Sequence, residues 1–101
     1  MDKQKFSKRL IELRLNKGVS ARDMSLSIGK NAGYINNVEN GKSLPSINGF
    51  FHICEYLGVT PQEFFDTQIK NPVKSKELLD AAKLLSDEQL DAFINIANNL
   101  K

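Results

Sequence analysis

Apolar residues along this chain recur at intervals of three and four in short blocks, and no stretch alternates with period two long enough to make a convincing strand. That spacing confines the chain to an all-α fold of short helices, each bounded by local start and stop signals. Phe6, Leu10 and Leu13 share one helical face, and Gly18 ends that segment behind Lys17, a cation suited to the negative end of the helix dipole. Ser20 is an N-cap for a second helix with Met24 and Ile28 inward and Gly29 as its stop. Asn31 is expected to cap a third helix, with Ile35 and Val38 inward and Asn40-Gly41 closing it. Ser46 caps a fourth, whose expected inner stripe is Ile47, Phe50, Phe51, Cys54 and Leu57, stopped by Gly58. Thr60-Pro61-Gln62-Glu63 is a capping box with proline at the first helical position, opening a short fifth helix that contributes Phe64 and Phe65.

Beyond Asp66 the pattern weakens. Residues 67–75, with Asn71-Pro72 among them, read as a connector between a domain over 1–66 and a helical hairpin over 76–101. In the hairpin Leu78, Leu79, Ala82 and Leu85 form one stripe. Ser86-Asp87-Glu88-Gln89 is a second capping box, followed by a stripe of Leu90, Phe93, Ile94, Ala97 and Leu100. Two helices cannot bury that many leucines and isoleucines by themselves. The hairpin therefore caps its own domain, forms a homodimer through Leu90, Phe93, Ile94, Ala97 and Leu100, or binds another protein.

Composition narrows the function classes. No apolar run approaches the roughly 20 residues of a membrane span, and Met1-Asp2-Lys3-Gln4-Lys5 leads into no apolar segment of a secretory signal. A single cysteine, Cys54, precludes an intramolecular disulfide framework and suits a reducing, cytoplasmic setting. One histidine and one cysteine cannot build an all-His/Cys zinc site, and no nucleophile–base arrangement or glycine-rich phosphate loop is present, so neither a cofactor nor catalysis is expected. Net charge is +2, yet residues 1–45 hold nine basic side chains (Lys3, Lys5, Lys8, Arg9, Arg14, Lys17, Arg22, Lys30, Lys42) against four acidic ones (Asp2, Glu12, Asp23, Glu39). That is a local excess of +5 on a nearly neutral chain.

The most informative block runs from Ser20 to Gly41. Two short helices joined by Gly29-Lys30-Asn31 give helix-turn-helix geometry, in which the second helix enters a major groove about 12 Å wide. With Ile35 and Val38 inward, Gly33, Asn37 and Asn40 point outward, flanked by Tyr34 and Asn36. That face is small, polar and uncharged. An asparagine amide donates to and accepts from one adenine edge at once, a pairing worth about 1–3 kcal/mol of discrimination.

The run Leu13-Arg14, Ser20, Gly29, Ile35-Asn36-Asn37-Val38-Glu39-Asn40-Gly41-Lys42, Pro45, Leu57-Gly58-Val59 and Phe64-Phe65 resembles the lambda-repressor-like helix-turn-helix family, often called the XRE family. The resemblance covers Phe6 to Phe65. It implies a five-helix DNA-binding domain, here followed by a C-terminal two-helix hairpin, and a salt bridge between Arg14 and Glu39 that fixes the reading helix. It also places base contacts at Ala32, Gly33, Asn36 and Asn37, with Tyr34 beside them. Phosphate contacts fall on Asn31, Asn40, Lys42 and Ser43. Where relatives carry a phosphate-touching glutamine after the cap, this chain has Ala21, and Arg22 and Lys30 are expected to supply that contact instead. The expected partner is an operator of palindromic double-stranded DNA bound by a homodimer, with no membrane and no cofactor. The function so implied is transcriptional repression, often in bacterial prophages or mobile elements. The competing reading is a protein-binding module, antitoxin-like or an adaptor, working through the hairpin.

Overall fold

A computed structural model describes residues 1–100, and among them every regular element is a helix: α1 Lys3–Lys17, α2 Ala21–Ser27, α3 Tyr34–Glu39, α4 Ile47–Leu57, α5 Pro61–Phe65, α6 Pro72–Ala82 and α7 Asp87–Asn98. Local chemistry sets most of the boundaries. Asp2, Ser20, Ser46, Thr60, Asn71 and Ser86 each accept a backbone N–H of the helix they open. The boxes at Thr60–Glu63 and Ser86–Gln89 are reciprocal, with the Glu63 and Gln89 side chains accepting the N–H of their own cap residue.

The core gathers Phe6, Leu10 and Leu13 of α1, Met24 of α2, Ile35 and Val38 of α3, and Ile53, Cys54 and Leu57 of α4, closed by Val59 and Phe64. At its lower end the Phe6 ring lies 4.9 Å from Phe64, and Phe50 meets Phe64 edge-on at 5.1 Å. Around these residues α2 and α3 lie against each other, while α1 packs on α3 and α4.

Four sequence expectations need correction. The inner face of α4 is Phe50, Ile53, Cys54 and Leu57, whereas Ile47 and Phe51 stand outward beside the exposed Leu44. Apolar residues surround most of α4, so periodicity left its facing open and docking against α1 and α5 chose it. Of the α5 pair only Phe64 is buried, and Phe65 is about half exposed. The connector is shorter than 67–75: α6 begins at Pro72, with Asn71 accepting the Lys74 N–H and Pro72 at the first helical position. That is the same start signal as Thr60-Pro61. The fourth correction concerns α3, whose regular turns begin at Tyr34 rather than at a cap on Asn31.

The hairpin buries little against the rest of the chain beyond its first turn. The N-terminus of α6 is tied down by the buried Pro72 and by the Asn16 side-chain amide donating to the Lys70 carbonyl at 2.7 Å. Farther along, α6 buries nothing else and α7 buries no residue at all. The molecule is accordingly elongated, 50 × 23 × 22 Å.

Candidate nucleic-acid interface

A six-residue helix has no stability of its own. What holds α3 is a set of contacts on every side except one. Ile35 and Val38 are fully buried in the core. At the N-terminal end, no side chain caps Gly33. Instead Ser25, fully buried in α2, accepts the Ile35 N–H at 2.9 Å and donates to the Ala21 carbonyl at 2.7 Å. One hydroxyl thus serves as a cap supplied by the neighbouring helix. At the C-terminal end, the buried Ser7 hydroxyl of α1 donates to the Val38 carbonyl at 2.7 Å. Arg14 forks onto Glu39 through Nε at 2.7 Å and Nη2 at 3.0 Å, with its Nη1 donating to the Val19 carbonyl at 2.9 Å. The side chains of Arg14 and Glu39 are 15% and 7% exposed, so the pair is largely out of water, and Glu39 raises the Arg14 pKa above its ordinary value.

The turn into α3 is equally determined. Gly29 adopts a left-handed conformation that other residues reach only with strain, and the Lys30 N–H closes back on the Ser25 carbonyl at 2.9 Å. Asn31 is part of this turn: its side-chain oxygen accepts the Gly33 N–H at 3.1 Å and its carbonyl the Tyr34 N–H at 3.1 Å. That leaves the exposed Asn31 NH₂ group to donate outward.

The open side of α3 carries Asn36, Asn37 and Asn40, all exposed, with Gly33 exposed and Ala32 partly covered at its start. Among the described residues the amides of Asn36 and Asn37 make no hydrogen bond within the chain. Arg22, Lys30, Lys42 and Ser43 are exposed as well, and Leu26 of α2 is 50% exposed. Arg22, Lys30 and Lys42 form no ion pair among the described residues.

Tyr34 is placed differently from its neighbours. At about 100° per residue it lies nearer the Ile35–Val38 direction than Asn36 or Asn37 does. Its ring packs on the core, and burial raises its phenol pKa. The hydroxyl reaches α4 so closely that a Cβ on the buried Gly49 would sit 2.8 Å from it. The Lys30 ammonium covers the ring at 5.3 Å, a cation–π contact. The side chain expected to read bases thus has its hydroxyl against α4.

Sequence reasoning passed over Ser7, Ser25 and Arg9. Arg9, 2% exposed, donates to the carbonyls of Glu63, Phe64 and Asp66 at 2.6–2.9 Å and to Glu12 at 2.6 Å, satisfying the C-terminal end of α5. Its place on the Phe6–Leu10–Leu13 face was the available signal. Nothing local marks Ser7 or Ser25.

A family model described as a helix-turn-helix domain matches residues 7–68. The chain belongs to the helix-turn-helix domain family, in keeping with a lambda-repressor-like regulator. Members are DNA-binding regulators of transcription and are typically not enzymes. No curated protein and no solved structure matches the chain. Among the described residues no helix is long and apolar enough to cross a membrane.

Proposed function

We propose that this protein is a sequence-specific repressor that lays α3 in the major groove of an operator and blocks transcription by occupying it. Base edges are read by Asn36 and Asn37, with Gly33 and Ala32 allowing close approach of the backbone. Asn31, Asn40, Ser43 and the cations Arg22, Lys30 and Lys42 hold the flanking phosphates. The observation that carries this reading is the pair of exposed, internally unbonded asparagine amides on a helix fixed from all other directions. A rigid helix places a bidentate amide reproducibly against one base.

Pairing of two copies through the α7 stripe (Leu90, Phe93, Ile94, Ala97, Leu100) gives two reading helices for half-sites about 34 Å apart. The exposure of Phe93, Ile94 and Leu100, each more than half open to solvent, supports that surface. The same exposure favours a second reading, in which the hairpin binds another protein and the DNA face is secondary.

Selecting bound duplexes from a random pool, then measuring affinity against salt, separates the two. A DNA regulator neutralising six or more phosphates gives a log–log slope near −5 or steeper, from about −0.9 per phosphate. It also enriches a palindrome, and Asn37→Ala relaxes one position of the motif by roughly 10-fold or more without changing stability. A flat salt response and no enriched motif would overturn the DNA reading and favour the protein-binding one.

A further inference from the structure

Between α5, the connector and α6 runs an apolar groove of about 610 Å³, floored by Ile69, Pro72, Leu79 and Ala82, with Leu90 at its far end. Leu79, on that floor, is 65% exposed, so the groove stands open. The chain's own α7 meets the groove at Leu90 alone and then leads away from it, with Phe93, Ile94 and Leu100 uncovered.

The charges around the groove are unevenly compensated. The Glu63 carboxylate is engaged by the Thr60 N–H, and Asp80 pairs with Lys83 at 3.2 Å. Lys76, also on the groove wall, enters no ion pair among the described residues. On α7 the situation is reversed. Asp87, Glu88 and Asp91 are its only charges; there is no cation from 87 to 100, and none of the three carboxylates is paired among the described residues. A groove with a free ammonium and an apolar floor is matched by a helix with free carboxylates and an apolar stripe, yet within one chain the two meet only at Leu90.

We infer that the groove seats α7 of a second copy. The exchange is reciprocal: each copy lays Phe93 and Ile94 over the other's Leu79 and Ala82, with Asp87 and Asp91, which flank the Ile94 edge of the stripe, turned toward the other's Lys76. One two-fold rotation fills both grooves, which closes the assembly as a dimer and leaves no groove open for a third copy. The exchange also covers apolar surface on both partners: Leu79, Phe93 and Ile94 are each more than half exposed in the single chain, as is Leu100 just past α7. This inference rests on the homodimer reading above and specifies its geometry.

The test uses the full chain in two charge-reversed forms, Lys76→Glu and the pair Asp87→Lys with Asp91→Lys, with self-association followed by analytical ultracentrifugation and helicity by circular dichroism. Like charges brought together across an interface weaken it, so each form alone should dimerise about tenfold or more less tightly than the parent chain. An equimolar mixture should recover the parent affinity, because each groove then meets an α7 of opposite charge. If Lys76→Glu dimerises as well as the parent, the exchange is wrong while the dimer stands, for example by α7 pairing with α7. A parent chain that stays monomeric up to about 100 μM overturns the homodimer reading itself.

Discussion

Replacing Ser25 by alanine removes one oxygen from the interior and, with it, the cap that α2 supplies to α3. Two hydrogen bonds are lost, but their consequences differ. The Ala21 carbonyl, in the first turn of α2, retains its helical acceptor role. The Ile35 N–H belongs to the first turn of α3, where no intrahelical carbonyl is available, and Ile35 is fully buried. Its desolvated donor is left without a partner, at a cost of about 1–3 kcal/mol. For a domain of this size about 2 kcal/mol lowers Tm by roughly 8–16 °C. Urea unfolding should show the loss as a shifted midpoint with an unchanged slope. Hydrogen exchange at the Ile35 amide should accelerate more than at Val38, which the Ser7 and Arg14–Glu39 contacts hold independently. If α3 reads the operator as proposed, DNA affinity should fall as well, since the entry end of that helix is freed. An alanine variant within about 0.5 kcal/mol of the parent, with Ile35 as protected as before, would refute the cross-helix cap.

Arg14→Ala and Glu39→Gln each strand a largely buried partner, and the arginine deletion should cost about 3–5 kcal/mol in chemical denaturation, with the glutamine variant milder because it keeps one acceptor. Gly49→Ala forces the Tyr34 hydroxyl off α4, so DNA affinity should drop severalfold in a folded protein; Tyr34→Phe in the same chain should restore it by removing the clashing atom. Burial pushes the Cys54 thiol up from 9.0 to about 11. Ionisation is thus easier in the unfolded chain, so this contribution to stability is complete below pH 9 and disappears as pH rises toward 11. Alkylation by iodoacetamide at pH 8.5 should accordingly be slow until denaturant is added; rapid modification of the native protein would contradict the burial.

Much of the secondary structure was legible because its determinants act within one turn. Ser20, Ser46, Thr60-Pro61 and Ser86 each satisfy backbone donors two or three residues away, and Gly18, Gly29, Gly41 and Gly58 supply the left-handed backbone that ends or joins helices. The Phe6–Leu10–Leu13 and Ile35–Val38 faces followed from periodicity alone, and so did the open asparagine face between them and solvent. Where several faces of a helix are apolar the same argument fails, as at α4, because local spacing ranks registers without deciding between them.

What fixes α3 lay beyond that reach. Ser7 meets Val38 across 31 residues, Arg14 meets Glu39 across 25, and Arg9 closes α5 from more than 50 residues away. Only the Arg14–Glu39 pairing was expected, and that through resemblance rather than spacing. A serine looks alike in sequence whether it faces water or caps a neighbouring helix, since the difference lies in which donor the packing brings within 3 Å. The sequence by itself determined the helices, their caps and the uncharged amides on the exposed face of α3. The tertiary structure alone decided how that surface is held and which apolar residues remain uncovered, because burial and long-range hydrogen bonds exist only once separate helices have docked.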